Sequence, residues 1–247
     1  MISCLCPTFN RYPQLGFLLG EAVECFLRQD HADKELLILN DTPGQKLVFD
    51  HPQVRIFNSQ LRLPDLSAKI QYLIDRADGD LFCRWDDDDL SLPWRLGYSL
   101  ERLGDRIEWR PENFWFANGS NPWKEDHHPG NSHVMAIWRR DALAAIGGRY
   151  PAGFSGGEDL TFNRLLAHAG HPKHGDLIAT NEMFYVYRWG TGSAHLSGKS
   201  DGSARPHQSH WDAIGHLPIE HGTFTIRPHW RTDYAAAAGS RSPARGI

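Results

Sequence analysis

The first hundred residues alternate short apolar runs with longer segments that are apolar on one side only. Residues 2–9, 35–39, 54–57 and 81–85 are runs of the first kind, and their length and composition predict buried β-strands. In two of the segments between them, apolar residues recur at spacings of three and four, which predicts amphipathic helices. These apolar positions are Leu15, Leu18, Leu19, Ala22, Val23, Phe26 and Leu27 in the first helix and Leu66, Ile70, Leu73, Ile74 and Ala77 in the second.

Strands that alternate with helices in this way predict β-α-β units and an α/β fold with a mostly parallel sheet. In such sheets, ligands bind beyond the carboxyl ends of the strands. Three polar clusters occupy those positions in the sequence, at residues 8–11, 40–42 and 86–89. We therefore expect the three clusters to meet at one edge of the sheet and to form the functional site.

The second half of the chain is less regular. After about residue 200 it becomes polar and rich in histidine, and residues 235–247 have the composition of a disordered tail. We expect one domain over residues 1–200 and an irregular C-terminal extension over residues 201–247. The elements predicted here are strands at residues 114–117, 133–138 and 182–188, a short helix at residues 139–146, and a helix from about Glu158 to Ala169.

Composition narrows the class of protein further. A chain of 247 residues with a formal net charge of −4 has no overall basic field, which argues against a dedicated nucleic-acid binder. The N-terminus lacks the pattern of a signal peptide, and no apolar run reaches membrane-spanning length, so we expect a soluble, cytoplasmic protein. The cysteines show no C-x-x-C spacing and are expected to be buried reduced thiols: Cys4, Cys6, Cys25 and Cys83.

The four consecutive aspartates at residues 86–89 need an explanation, because adjacent like charges repel. Carboxylates at the end of a strand can cap the next helix, act as acid or base, or hold a hard cation. Capping needs one or two of them, and Ser91 can already serve as a cap. Mg²⁺ and Mn²⁺ prefer oxygen ligands and share them with substrate phosphates, so the run favours a metal-and-phosphate site over capping.

The segment DDDDLSLPWRL resembles the D-x-D-D-x-x-x-P-x-R-[LM] signature of family 2 glycosyltransferases with the GT-A fold. CPTFNR at residues 6–11 is similar to the opening of that family after its first strand. ELLILND at residues 35–41 resembles its second strand, with Asn40 in place of the first aspartate of the usual pair. GGEDLTFNRLLAHAG at residues 156–170 resembles its glycine-rich E-D block. The four motifs occur in the family's order and cover about residues 2–195.

The resemblance implies a GT-A (Rossmann-like) sheet flanked by helices and a metal-dependent, inverting glycosyltransferase. Its donor is a nucleotide-diphosphate sugar, most often UDP-linked. Several matching positions then take roles in donor binding. Pro7, Thr8 and Arg11 line the nucleotide pocket, Asp41 accepts a hydrogen bond from the base, and Asp86 or Asp87 lies near the ribose.

The resemblance also implies the metal ligands and the catalytic pair. Asp88 and Asp86 bind Mn²⁺ or Mg²⁺, and the cation makes the diphosphate a better leaving group. His195 is placed to be a third ligand, although in a chain with 14 histidines it is equally well a surface or core residue. Asp159 is the general base, beside Glu158. The same acidic pair also suits the first turn of a helix, where the helix dipole favours carboxylates.

Two alternatives stay open at this point. One is a glycosyltransferase-like protein that binds carbohydrate but has lost its activity. The other is a sugar nucleotidylyltransferase, although such enzymes resemble one another in a G-x-G-x-R loop and this chain has PTFNRYP instead. The acceptor also stays open between a carbohydrate, a lipid-linked sugar, a small molecule and a modified nucleobase. Arg188 could face the diphosphate or the acceptor, or simply end the last strand.

Overall fold

The computed structural model of the protein describes residues 1–118, 123–127, 133–153, 157–171, 175–189 and 218–239. The strands in chain order are β1 Ile2–Thr8, β2 Lys34–Asn40, β3 Gln45–Val48, β4 Val54–Asn58, β5 Leu81–Arg84, β6 Leu90–Ser91, β7 Glu108–Pro111, β8 Asn113–Asn118, β9 Lys124–His127, β10 Ile137–Arg139, β11 Gly175–Asp176, β12 Tyr185–Trp189 and β13 Gly222–Thr225. The helices are α1 Gly16–Leu27, α2 Leu66–Ile74, α3 Arg95–Leu103, α4 Asp141–Ala145, α5 Glu158–His168 and α6 Tyr234–Ala237, with short 3-10 helices at His133–Met135 and Thr180–Glu182. Within these ranges, no helix is long and apolar enough to cross a membrane.

A seven-stranded sheet with the order β11-β7-β10-β5-β1-β2-β4 forms the centre of the structure. Strand β1 pairs in parallel with both β2 and β5, and β2 pairs in parallel with β4. Because Thr8 lies opposite Asn40 and Leu5 lies opposite Arg84, the chain leaves these strands at a common edge. The α/β fold with a mostly parallel sheet is therefore confirmed, and β10 is antiparallel to both of its neighbours.

The two faces of the sheet are covered by different helices, which explains why β1 and β2 are buried along almost their whole length. Side chains alternate between the faces of a strand. On one face, Cys4 and Cys6 pack in a cluster with Phe26 of α1. On the other face, Leu5 packs in a cluster with Ile70 of α2. All four cysteines are buried, and none of them forms a disulfide bond, as expected.

A second sheet, with the order β6-β12-β8-β9, extends from the same edge. Strand β6 follows directly after the four aspartates, and it pairs antiparallel with β12, so that Ser91 lies opposite Tyr185. This pairing brings the last strand of the predicted domain next to the aspartates, although more than 90 residues separate the two in the chain. The sequence pattern did not predict this contact.

The strand predicted at residues 133–138 is wrong in its first half. His133–Met135 is a 3-10 helix, and the strand begins only at Ile137. The carbonyl of Val134 accepts a hydrogen bond from Nη2 of the fully buried Arg95 at 2.7 Å. A side chain from α3 therefore uses the acceptor that a neighbouring strand would otherwise have bound.

The disordered tail predicted for residues 235–247 is also wrong at its start, because Ala235, Ala236 and Ala237 belong to α6. The helix is capped by Asp233, whose side chain accepts a hydrogen bond from the amide of Ala236 at 3.0 Å. Tyr234 anchors the helix in the main hydrophobic cluster. Strand β13, which precedes α6 in the chain, pairs in parallel with β3. Residues 240–247 lie outside the described part of the chain, and the domain boundary near residue 200 stays a prediction.

Helix α2 provides a test of the local structure that supports the sheet. The side chain of Asp65 accepts a hydrogen bond from the amide of Ala68 at 2.7 Å and so caps this helix. We expect Asp65→Ala to lower the free energy of unfolding by about 1 kcal/mol, as measured by urea denaturation. Asp50→Ala, at an exposed position that caps no helix, is the control. Equal unfolding midpoints for the two variants would contradict the assignment.

Candidate active site

The loop after β1 contacts the loop after β2 at the carboxyl edge of the sheet. Asn10 has a positive φ of 49°, and its backbone amide donates to Oγ1 of Thr42 at 2.7 Å. Asn40, which stands where the family has an aspartate, accepts from the amide of Thr42 at 3.2 Å. Two of the three polar clusters are therefore joined, and Asn40 shapes the turn between them.

Arg11 joins these loops to the four aspartates. Its Nε donates to Oδ2 of Asp87 at 2.7 Å, and its Nη2 donates to Oδ2 of Asp88 at 2.8 Å. All three side chains are buried, with at most 8% of their surface exposed. Burial alone would lower the pKa of Arg11, but the charges of Asp87 and Asp88 raise it well above its ordinary value. The three polar clusters thus meet as the sequence predicted.

The two outer aspartates are held by residues from β5 and β12. Nη2 of Arg84 contacts Oδ1 of Asp86 at 3.1 Å, and Asp86 remains partly exposed. The hydroxyl of Tyr185 donates to Oδ2 of Asp89 at 2.5 Å. The backbone amide of Arg188 donates to the other oxygen of Asp89 at 2.7 Å. Asp89 therefore fixes β12 to the aspartate run, whereas Asp86 faces the more open side.

The predicted catalytic pair lies at the start of α5 and is connected to the aspartates by Arg84. Nη1 of Arg84 donates to Oε1 of the buried Glu158 at 2.9 Å, while its Nη2 contacts Asp86. Burial raises the pKa of Glu158, and the charge of Arg84 opposes this shift only in part. Asp159 is less buried, and its Oδ1 accepts from the amide of Leu160 at 2.8 Å. One guanidinium group therefore spans the two acidic clusters.

Asp41 and the residues around it form a separate group of buried contacts. Asp41 is fully buried, and its carboxylate accepts from Nζ of Lys69 at 2.7 Å and from the amide of Leu63 at 3.0 Å. Burial lowers the pKa of Lys69, and the charge of Asp41 partly offsets this. Pro7 lies half-buried at the end of β1. The contact predicted between Asp41 and a nucleotide base stays a prediction.

Several buried hydrogen-bond donors at this edge have no acceptor among the described residues, including Oγ1 of Thr8, Nη1 of Arg11 and Nη2 of Arg188. The two arginines lie against the same aspartate, because Nε of Arg188 donates to the backbone carbonyl of Asp88. Buried donors are normally paired, and an unpaired one costs free energy. Oxygen atoms of an anionic ligand are suitable acceptors for such donors.

The charge balance of the site also fits a divalent cation. The run from Asp86 to Asp89 carries four carboxylates, and in the described part of the chain Arg11 and Arg84 form direct ion pairs with three of them. Within the described ranges, no three ligating side chains are gathered at one point, and His195 lies outside those ranges. Mg²⁺ commonly uses one or two carboxylates together with substrate phosphates, so three protein ligands are not required. Asp86 and Asp88 supply oxygen atoms of the right type.

Sequence reasoning overlooked three residues that organise the site. Arg84 ends a strand that is otherwise apolar, and a charge at the carboxyl end of a buried strand was the signal available. Lys69 lies on the buried side of α2, where its charge breaks the apolar pattern. Tyr185 gave no such signal, since an aromatic residue in a strand looks the same whether it packs or donates a hydrogen bond.

Comparison with known proteins agrees with this arrangement. Residues 3–107 match the model of glycosyl transferase family 2, so the resemblance expected from the motifs is confirmed for this part of the chain. That range contains all three polar clusters and ends before the catalytic pair predicted at Glu158 and Asp159. No curated protein sequence matches the chain.

Several solved structures share the fold, which is that of GT-A glycosyltransferases. S. aureus TarS 1–349 in complex with UDP has a TM-score of 0.57 at 12% identity, over 76% of this chain and 60% of that one. Its complex with UDP-GlcNAc has a TM-score of 0.57 at 11% identity, over 86% and 64%. Mannosyltransferase PcManGT from Pyrobaculum calidifontis, in complex with GDP-Man and Mn²⁺, has 0.54 at 14%, over 75% and 56%. The chain therefore spans less than two thirds of each.

The burial of Glu158 predicts a pH dependence of stability. A raised pKa in the folded state means that ionisation of Glu158 costs folding free energy as the pH rises above its ordinary value of 4.5. We expect the free energy of unfolding of Glu158→Gln, relative to the parent, to improve between about pH 4 and pH 7 in urea denaturation. Glu101→Gln, at an exposed position on α3, is the control. A difference that does not change with pH would contradict the assignment.

Proposed function

We propose that the protein transfers a sugar from a nucleotide-diphosphate sugar to an acceptor hydroxyl. The observation that carries this proposal is the set of ion pairs at the carboxyl edge of the sheet, in which Arg11 binds the middle of the aspartate run and Arg84 connects the start of that run to Glu158. It joins a donor-type site to an acidic pair suited to base catalysis. The fold adds support, because TarS binds UDP and UDP-GlcNAc and PcManGT binds GDP-Man in this fold.

The donor binds along the edge formed by β1, β2 and β5. Nη1 of Arg11 and Oγ1 of Thr8 lack acceptors among the described residues, and they donate to oxygen atoms of the nucleotide diphosphate. Asp86 or Asp87 accepts from the ribose hydroxyls, while Pro7 and Asp41 form the side of the pocket nearest the base. We infer a UDP-linked donor.

A divalent cation, Mn²⁺ or Mg²⁺, belongs to this proposal. Asp88 and Asp86 hold it, with His195 as a further ligand. When bound, it neutralises charge on the diphosphate and makes the nucleoside diphosphate a better leaving group. Asp86 and Asp88 supply carboxylate oxygen atoms, the ligands that Mn²⁺ and Mg²⁺ prefer, and this supports the assignment.

Asp159 is the general base in the proposed reaction. Its carboxylate takes the proton from the acceptor hydroxyl while that oxygen forms a bond to the anomeric carbon. The bond from the anomeric carbon to the diphosphate breaks, and its electron pair leaves with the nucleoside diphosphate. A single displacement of this kind inverts the anomeric configuration. Glu158, which is buried against Arg84, orients the start of α5 and keeps it next to Asp86.

Asp159→Asn tests the catalytic step apart from binding. We expect turnover to fall by about 10²–10⁴-fold because the base is lost, while the affinity for UDP stays at the parental value. Turnover is measured as release of nucleoside diphosphate, and affinity by titration calorimetry. Asp141→Asn is the matched control, since Asp141 also lies in the first turn of a helix. Parental turnover by Asp159→Asn would contradict the role of base.

Binding of UDP by the parent protein without any turnover, even hydrolysis of the donor, would instead favour the inactive carbohydrate-binding alternative.

Asp88→Ala tests the metal assignment. We expect it to weaken UDP binding in Mn²⁺ by about 10–100-fold, and to remove the difference between Mn²⁺ and EDTA, because a ligand of the cation is lost. The measurement is a UDP titration in both buffers. Asp80→Ala, an exposed aspartate just before β5 at the opposite edge of the sheet, is the control. Equal affinities of Asp88→Ala and the parent in Mn²⁺ would contradict the assignment.

A further inference from the structure

Glu21 is a carboxylate in the middle of α1 that is completely buried. A buried charge is tolerated only when partners compensate for it. Glu21 has three partners from outside its own helix. Nη1 of Arg188 donates to Oε2 at 2.5 Å, Nε of Arg231 donates to Oε1 at 2.8 Å, and the hydroxyl of Tyr234 donates to Oε1.

Two of these partners come from the C-terminal segment, which is defined here as residues 218–239. Nη2 of Arg231 donates to the second oxygen of Glu21 at 3.2 Å, so this arginine binds both oxygen atoms of the carboxylate. Burial alone would raise the pKa of Glu21, but the hydrogen bond from Arg231 and the charge of Arg188 lower it overall. Glu21 is therefore ionised at neutral pH and holds the C-terminal segment on α1.

The third partner connects Glu21 to the donor site. Arg188 binds Glu21 through Nη1, and its Nε donates to the backbone carbonyl of Asp88. Its backbone amide donates to Asp89 at 2.7 Å. A continuous path of hydrogen bonds therefore leads from Arg231 through Glu21 and Arg188 to the aspartate run.

We propose that Glu21 is a positioning residue of the donor site, and that the C-terminal segment completes this site from a distance by holding Glu21 through Arg231 and Tyr234. This inference rests on the proposed function, because it concerns how the donor-binding aspartates are held. Besides Glu21, it assigns roles to Arg188, Arg231 and Tyr234, which lie outside the family match over residues 3–107.

The two arginines that bind Glu21 have different roles in this arrangement. One carboxylate lies between two guanidinium groups, so the cluster of Glu21, Arg188 and Arg231 carries a net positive charge next to Asp88 and Asp89. Arg231 restrains both oxygen atoms of Glu21. The orientation of this carboxylate in turn fixes the position of the Arg188 guanidinium group, which binds it. Without Arg231, the Glu21 carboxylate can rotate, and Arg188 loses its fixed position against the carbonyl of Asp88.

The test compares Arg231→Gln with the full-length parent in two independent measurements. Half of the Arg231 side chain is exposed, so the variant is expected to fold. The first measurement is amide hydrogen exchange in the ligand-free protein over the peptide that contains residues 185–189. The second is the affinity for UDP in Mn²⁺. Arg227→Gln is the matched control, since Arg227 is an exposed arginine of the same segment outside the Glu21 network.

We expect Arg231→Gln to exchange faster in that peptide and to bind UDP about fivefold more weakly, while Arg227→Gln matches the parent in both. Glu21→Gln, if it folds, shows both effects more strongly. Unchanged exchange would overturn the proposal, even if the variant is less stable. Faster exchange with parental UDP affinity would overturn it as well, because the positioning would then have no effect on the donor. Failure of the parent to bind UDP would count against the proposed function, and exchange alone would then decide the link from Arg231 to Arg188.

Discussion

Repulsion among four adjacent carboxylates at the edge of a buried sheet is the constraint around which this site is built. Arg11 pairs with Asp87 and Asp88, and Arg84 pairs with Asp86. Each arginine comes from a different part of the sheet, so the repulsion is offset only when the strands and loops are in their folded positions. The fold and the site therefore depend on the same ion pairs.

These ion pairs also connect parts of the chain that lie far apart in sequence. Arg84 joins the aspartates to Glu158 at the start of α5, while Arg188 joins them to Glu21 and the C-terminal segment. Because the connecting groups are buried, each is costly to leave unpaired. Such a site is expected to respond as a unit, so that a substitution at one end changes the geometry at the other.

The sequence was sufficient for the parallel sheet and for the meeting of the polar clusters, because both follow from periodicity and from the direction of the strands. It was insufficient for the contacts made by single side chains over long distances. Strand β12 reaches the aspartates through its pairing with β6, and no local pattern marks that partner. The alanines of α6 show no apolar periodicity, so their composition predicts a disordered tail. The structure shows that Tyr234 packs this helix against the core. Arg95 matches the family signature, and the structure shows that it holds the carbonyl groups of Arg84 and Val134.

The proposed function requires the carboxyl edge of this sheet to bind a nucleotide-diphosphate sugar. A thermal-shift panel of UDP-, GDP- and CMP-linked sugars, each with Mn²⁺ and with EDTA, tests it most directly. We expect one nucleotide class, that of UDP, to raise the melting temperature of the protein, and to do so more strongly with Mn²⁺ than with EDTA. Melting temperatures that no nucleotide sugar changes, in either buffer, would contradict it.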